Sequence, residues 1–293
     1  MAARKPAGVA RVMRSGRGAR ARGRPRNLPI LLTVALVTML VLVFVAIRWY
    51  VTPAAPRQAS QGQAGQVVAA LAALPPTELQ SIGRGTSSAD LKPVSAQPLT
   101  GAGGKPQVLY VGAEYCPYCA AHRWALAVAL SRFGTLTGVG LTSSSSSDAF
   151  PDTPTLTFRR ARYASNYLDF VAVETADRQG APLDELTADQ QALMQRYDAP
   201  PYSATAGGIP FVDLGNRFVT SGAAYSPGLL QGMDQRQVVA ALQNPSSAQA
   251  KAILGSANVF TAALCQMTRQ QPADVCGTPA IQSIQASIRG SAG

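Results

Sequence analysis

The chain has 293 residues, 47% of them hydrophobic, which is enough for the core of one or two domains and too apolar for a disordered polypeptide. A formal charge of +11 would suit a nucleic-acid binder, but nine of the 26 basic residues, Arg4 to Arg26, precede residue 28 in a stretch with no acid. A tenth, Arg48, closes the apolar run that follows, and the remaining 16 stand against all 15 acids, so a basic tail precedes a nearly neutral body and no nucleic-acid partner is expected.

After the tail (residues 1–27), Leu28 to Ile47 is twenty residues without a charge, the length of a helix crossing roughly 30 Å of hydrocarbon. A buried core helix would be shorter and amphipathic. A cleaved signal peptide would have a shorter apolar region with a small-x-small site behind it. Trp49 and Tyr50 stand where an interfacial aromatic belt belongs, so residues 28–48 read as an uncleaved anchor in contact with membrane lipid. The positive-inside rule then predicts a single-pass protein of the cell membrane, with its N-terminus cytoplasmic and its body extracytoplasmic. Residues 49–105, rich in Ala, Pro, Gln, Ser and Gly, read as a tether. It carries one docking helix over Val67 to Leu74, which stops at Pro75 and Pro76.

The folded domain is expected to begin near Pro106 and to fill residues 106–293. Val108 to Val111 is a continuous apolar run, as in a strand buried on both faces. Gly112 to Tyr115 turn the chain into Cys116-Pro117-Tyr118-Cys119, and a breaker-free helix runs from Ala120 to Phe133, ending at Gly134. Leu136 to Leu141, Thr155 to Phe158 and Tyr167 to Val173 read as strands, and Leu183 to Tyr197 as an amphipathic helix. Between them the serine run Ser143 to Ser147 reads as a loop. Phe211-Val212 and Phe218-Val219, joined through Leu214-Gly215-Asn216, make a hairpin. Helices follow over Pro227 to Leu242, Ser246 to Met267 and a shorter piece near Ile281, which completes an α/β pattern.

The Cys-x-x-Cys pair carries the chemistry. A cysteine at a helix N-terminus meets unpaired backbone N–H groups and the positive end of the helix dipole, which favour its thiolate. Cys116 is therefore the expected nucleophile. Cys119, three residues on and on nearly the same face, is the expected resolving thiol, able to attack a mixed disulfide at Cys116. Half of a zinc site is the competing reading. With one histidine in the chain and ten residues between Cys265 and Cys276, a four-ligand set has poor spacing, so no metal is expected. In an exported region Cys265 and Cys276 read as a structural disulfide, with a second redox pair as the alternative.

Strand, Glu114-Tyr115-Cys116-Pro117-Tyr118-Cys119, helix and the distant Ile209-Pro210 before a hairpin resemble the thioredoxin superfamily, and the Cys-Pro-Tyr-Cys quartet is also that of glutaredoxins. Val111 to Cys119, Tyr167 to Glu174 and Gly208-Ile209-Pro210-Phe211 more closely resemble an uncharacterised membrane-anchored family, domain of unknown function nine-two-nine, across most of residues 66 to 290. The resemblance implies a thioredoxin-like α/β fold, a mixed sheet flanked by helices, with an insertion near residues 143–199 and a helical C-terminal region. It also implies that Pro210 is a cis-proline facing the Cys116–Cys119 disulfide, with the Ile209 backbone binding an extended substrate.

Other residues invite weaker readings. His122 reads as a solvated helix residue, Glu114 as a turn carboxylate that is either exposed or a proton shuttle, and Arg159, Arg160 and Arg162 as an exposed strand face. Tyr115 and Tyr118 either border a peptide groove or pack against the domain. The expected function is a membrane-anchored extracytoplasmic thiol-disulfide oxidoreductase acting on exported protein thiols with a further redox partner. Its redox group is the Cys116–Cys119 disulfide, and it needs no other cofactor. Oxidase or isomerase is favoured over reductase. The alternative is a noncatalytic thioredoxin-like interaction module of an envelope complex.

Overall fold

A computed structural model describes the backbone of residues 28–51 and 55–290 and the side chains of residues 32–44 and 62–288. The basic tail, Trp49 and Tyr50 lie outside the described residues or side chains. Helix α1 spans Leu28–Val51, and its described side chains, Leu32 to Phe44, are apolar apart from Thr33 and Thr38 and are exposed. Among the described residues, no helix is long and apolar enough to cross a membrane. Among the described residues, α1 belongs to one compact unit and residues 56–290 form a second.

The second unit is a mixed α/β structure. It opens with α2 (Ala55–Ala72) and α3 (Pro76–Ile82), followed by β1 (Lys92–Pro93), β2 (Gln107–Gly112) and α4 (Pro117–Ser131). Four short strands come next, β3 (Thr135–Thr137), β4 (Gly140–Ser143), β5 (Pro154–Thr157) and β6 (Arg162–Ala164). Then come β7 (Asp169–Glu174), α5 (Ala188–Tyr197), β8 (Phe211–Leu214) and β9 (Phe218–Ser221). After a 3-10 turn at Pro227–Leu230, the chain ends in α6 (Gln235–Leu242), α7 (Ala248–Met267), α8 (Ala273–Cys276) and α9 (Pro279–Gly290).

Five strands form the central sheet in the order β1-β9-β8-β2-β7. β2 runs parallel to β7, from Gln107 opposite Asp169 to Gly112 opposite Glu174, and antiparallel to β8 on its other side. Because successive side chains alternate faces, Val108 and Tyr110 enter the larger core with α4 and α7 while Leu109 and Val111 enter a smaller one with Tyr197 and Leu193 of α5. Helices on both faces explain why β2 is apolar from Val108 to Val111, each such side chain contributing about 1.5–3 kcal/mol on burial.

The expected domain start near Pro106 is corrected. Val67, Val68, Leu71, Leu74, Leu79, Ala89 and Leu91 are buried in the main core, and β1 pairs with β9. The segment read as a tether is integral because its apolar residues join the main core, α3 packing against α7. Asn258 of α7 donates to the carbonyls of Leu79 and Gly83 at 2.7 Å each, fixing α3. At Gly255 the crossing is so close that a Cβ would lie 2.3 Å from the Arg84 carbonyl oxygen.

The insertion is also relocated. Leu136 to Leu141, read as one strand, breaks at Gly138, whose φ of +69° suits glycine, and the halves pair in two separate ribbons, β3 with β6 and β4 with β5. The four short strands of these ribbons therefore lie between α4 and β7, and β7, within the expected insertion at 143–199, is a strand of the central sheet. The helix expected from Leu183 starts at Ala188, where Thr187 and Gln190 form a reciprocal capping box. Pro227 to Leu242 divides because Asp234 and Gln237 cap a new helix. The piece near Ile281 is a twelve-residue helix burying Ile281, Ile284 and Ile288.

Cys265, at the end of α7, and Cys276, at the end of α8, are joined by a disulfide and are 0% and 1% exposed. Burial denies a thiolate access to either sulfur. Differential alkylation after denaturation, with peptide mapping, should therefore find this bond intact under reductant conditions that reduce the Cys116–Cys119 pair. Equal reduction of both pairs would refute a staple, whose loss should cost about 2–4 kcal/mol.

Candidate redox site at the start of helix α4

Cys116 is the N-cap of α4, with extended backbone (φ −76°, ψ 121°) and a sulfur that accepts from the Cys119 backbone N–H at 3.3 Å. Pro117 follows at the first helical position, where no N–H is needed. Cys116 is 5% exposed and Cys119 fully buried, and neither is in a disulfide. The Cys119 thiol, donating to Cys116, pulls the Cys116 pKa down. Burial opposes this, while the backbone N–H groups of Cys119 and Tyr118 and the Arg123 charge assist it. Burial pushes Cys119 well up, and sharing its proton with Cys116 adds to that. The pair is thus electrically unequal, the outer sulfur losing its proton more readily than Cys119.

Facing the pair is the Ile209–Pro210 peptide, which is cis, with the Ile209 carbonyl oxygen 3.7 Å from Cys116 Sγ. Two ties deliver this segment. The Gly207 N–H donates to the Asp198 carbonyl behind α5, and the Gly222 N–H donates to the Pro210 carbonyl at 2.8 Å. The structure therefore brings four expected site residues, Cys116, Cys119, Ile209 and Pro210, to one place, and sets Cys265 and Cys276 apart as the disulfide of α7 and α8.

His122 corrects an expectation. It is fully buried rather than solvated, 4.8 Å from the Phe260 ring centroid of α7, and its Nδ1 donates to the Gly222 carbonyl at 3.2 Å, which assigns the proton to that nitrogen. It thereby braces the residue that holds Pro210. Burial pulls its pKa from 6.5 to about 4, against the Gly222 contact. Because the folded pKa is the lower one, His122 contributes stability in full above pH 6.5, and this is lost as pH falls towards 4. Between pH 7 and 4, denaturant titrations should show wild type losing about 2–3 kcal/mol that His122→Gln does not lose. Asp213, raised to about 6 by burial, acts in the opposite sense in both proteins, so their difference isolates His122. Parallel pH curves would refute the assignment.

The sequence reading missed the charged pair beneath the cysteines. Arg123 and Glu174 are both fully buried. Arg123 Nε donates to Glu174 Oε1 at 2.8 Å, and Nη2 donates to Glu174 Oε2 at 2.6 Å and to the Ala113 carbonyl at 2.7 Å. Glu174 Oε1 also accepts from the Phe158 N–H at 3.2 Å, and the Arg123 guanidinium lies 5.8 Å from the Tyr110 ring centroid. One side chain thus joins α4, the strand end leading into Cys116, and the end of β7. A signal was present: Arg123 is four residues from Cys119 and seven from Cys116, on one helical face.

The remaining expectations resolve individually. Glu114 is half-buried, its carboxylate accepting from Thr157 Oγ1 at 2.6 Å. Arg159 and Arg160 lie in a turn and Arg162 on β6, all three exposed. Tyr115 is half-buried, its carbonyl accepting from the Ser145 N–H, and Tyr118 is exposed beside Phe150. Among the described residues, no group of three or more His, Cys, Asp or Glu side chains is placed to hold a metal ion.

Comparison with known proteins adds one finding. The chain matches the family model described as a domain of unknown function (DUF929) over residues 91–266. No curated protein and no solved structure matches it. The match spans more than half of the chain and takes in the Cys-x-x-Cys turn, Glu174 and Pro210, and the chain therefore belongs to the DUF929 family.

Proposed function

We propose that this protein is a membrane-anchored, extracytoplasmic thiol-disulfide oxidoreductase of thioredoxin-like architecture. The observation that carries the reading is Cys116 itself, an N-cap cysteine with a lowered pKa that faces the cis Ile209–Pro210 bond. A central strand parallel to the next across a helix that begins at the cysteine pair, and antiparallel to a hairpin that follows the cis-proline, supports the architecture. The apolar α1 behind an arginine-rich tail supports the anchor, with lipid contact through residues 28–48.

In the oxidising direction, a client thiolate attacks Cys116 of the Cys116–Cys119 disulfide. The bond between the two chain sulfurs breaks, and Cys119 leaves with the electron pair and takes up a proton. A second client thiolate then attacks the client sulfur of the mixed disulfide, forming the client disulfide and releasing Cys116. Two electrons have passed to the pair, and a disulfide-bearing redox partner restores it. No other cofactor is required. Because a low Cys116 pKa stabilises the reduced state, the disulfide is oxidising, which favours oxidase or isomerase action.

Three measurements on the full-length chain test this. Equilibration with a thiol redox buffer gives the potential of the pair, and a value near thioredoxin's, about −270 mV, would overturn the oxidising direction. Protease added to intact spheroplasts should remove the second unit, and protection of residues after Val51 would overturn the topology. If Cys116 shows no enhanced alkylation near neutral pH, the noncatalytic interaction module takes the place of the enzyme.

A further inference from the structure

Outside α1, Tyr118 is the one large apolar side chain among the described residues that is exposed, at 42%, and it lies between the two cysteines. Its ring meets that of Phe150 edge to face, at 5.8 Å between centroids and 87° between planes. Phe150 comes from the serine-rich loop of the segment between α4 and β7, and that loop is built rather than loose. The Phe150 carbonyl accepts from Ser144 Oγ at 3.0 Å and from Thr153 Oγ1 at 2.9 Å, and both side chains are buried. The Ser145 N–H donates to the Tyr115 carbonyl at 2.8 Å, and Arg178 Nε donates to the Ser144 carbonyl, so the loop is pinned to the residue before the nucleophile and to the loop after β7. Behind the Phe150 ring stands Gly228, where a Cβ would come within 3.2 Å of the ring edge. A half-buried aromatic is thus held in place beside an exposed one at the mouth of the site.

We infer that Phe150 is a specificity-determining residue that, with Tyr118, receives a large apolar side chain flanking the reacting cysteine of an extended client polypeptide. The inference rests on the redox reading of Cys116. It follows from where a client must lie. A mixed disulfide brings the client sulfur to about 2 Å from Cys116 Sγ, and Cys116 is only 5% exposed. Neighbouring client residues must therefore pass over the first turn of α4, where Tyr118 and Phe150 offer two ring faces and edges to an apolar group and no charge to a polar one.

The test uses the reduced full-length chain and two peptides, each with one cysteine joined to 2-thiopyridine and with either Phe or Ser beside that cysteine. Cys116 thiolate attacks the peptide sulfur and thiopyridone leaves with the electron pair, giving a measurable absorbance. Cys119 then attacks Cys116, forming the internal disulfide and releasing the peptide thiol. Each rate constant is divided by that of the same protein with bis(2-hydroxyethyl) disulfide, which reports sulfur chemistry without a side chain to recognise. Wild type should prefer the Phe peptide by about three- to tenfold, the range an aromatic contact supplies. In Phe150→Ser the normalised ratio should fall to near one, and in Phe150→Leu, which keeps the packing against Gly228, it should lie between. An unchanged ratio in Phe150→Ser, or no preference in wild type, overturns the inference while leaving the redox reading standing. Failure of wild type to react with bis(2-hydroxyethyl) disulfide as well as with both peptides removes the redox reading itself.

Discussion

Replacing Cys119 by Ala should leave the protein joined to client polypeptides through Cys116, visible as slow-migrating species on non-reducing gels that reductant dissolves. With the resolving thiol gone, the Cys116 thiolate still attacks a client disulfide, one client sulfur leaves as a thiolate, and the mixed disulfide so formed has no internal route to release. The structure supplies the asymmetry behind this expectation, since Cys116 is the sulfur with some exposure and a lowered pKa, and Cys119 is fully buried with its pKa raised. Cys116→Ala should trap nothing, because Cys119 is both shielded and protonated. The contrast between the two variants should be close to all or none. Equal trapping by both would show that the sulfurs are interchangeable and would refute the assignment, and no trapping by either would favour the interaction module.

Removing one member of the buried ion pair should be the most damaging single change to stability. Glu174→Gln leaves the Arg123 guanidinium in the core without a counter-charge, and Arg123→Met leaves the Glu174 carboxylate likewise. Either should cost about 3–5 kcal/mol in denaturant unfolding, whereas the double replacement, which removes both charges, should recover much of the loss. A structural role alone would end there. Because the Arg123 charge also lowers the Cys116 pKa, Arg123→Met should move the pH midpoint of Cys116 alkylation upward. Glu174→Gln, which keeps the cation, should not raise it, and it supplies the reading if Arg123→Met fails to fold. Midpoints that rise equally in both variants would mean that loosening of the fold, not the charge, sets the thiol.

What could be read along the chain was whatever depends on neighbours within about one helical turn. The start of α4 at Cys116-Pro117 is of this kind, because an N-cap, a proline at the first helical position and a breaker-free run after it are local requirements. The hairpin of β8 and β9 was legible for the same reason. The start of α5 was legible too and was passed over. Thr187 and Gln190 spell a capping box, which starts the helix at Ala188 rather than at the expected Leu183. The proximity of Pro210 to Cys116 is of another kind. Ninety-three residues separate Cys116 from Ile209, and only a resemblance to other proteins suggested that they meet.

His122 shows where periodicity stops. Its offset from Cys119 identified a face of α4, but nothing in that spacing says that Phe260 of α7 covers the face and removes water from it. The same helix decided the fate of the segment before residue 106. Alone, the sparse apolar residues of α2 and α3 resemble a tether, and they become core because the folded domain buries them, α3 directly against α7. The sequence by itself determined the cysteine pair at a helix start, the buried central strand and the segregation of charge into the tail, all of which follow from short-range backbone and solvation rules. Tertiary structure alone decided that Arg123 meets Glu174, that β7 rather than the Leu136 run completes the sheet, and that Phe150 reaches Tyr118. Each of these is a contact across many residues, and its free energy exists only once the rest of the fold has brought the two partners together.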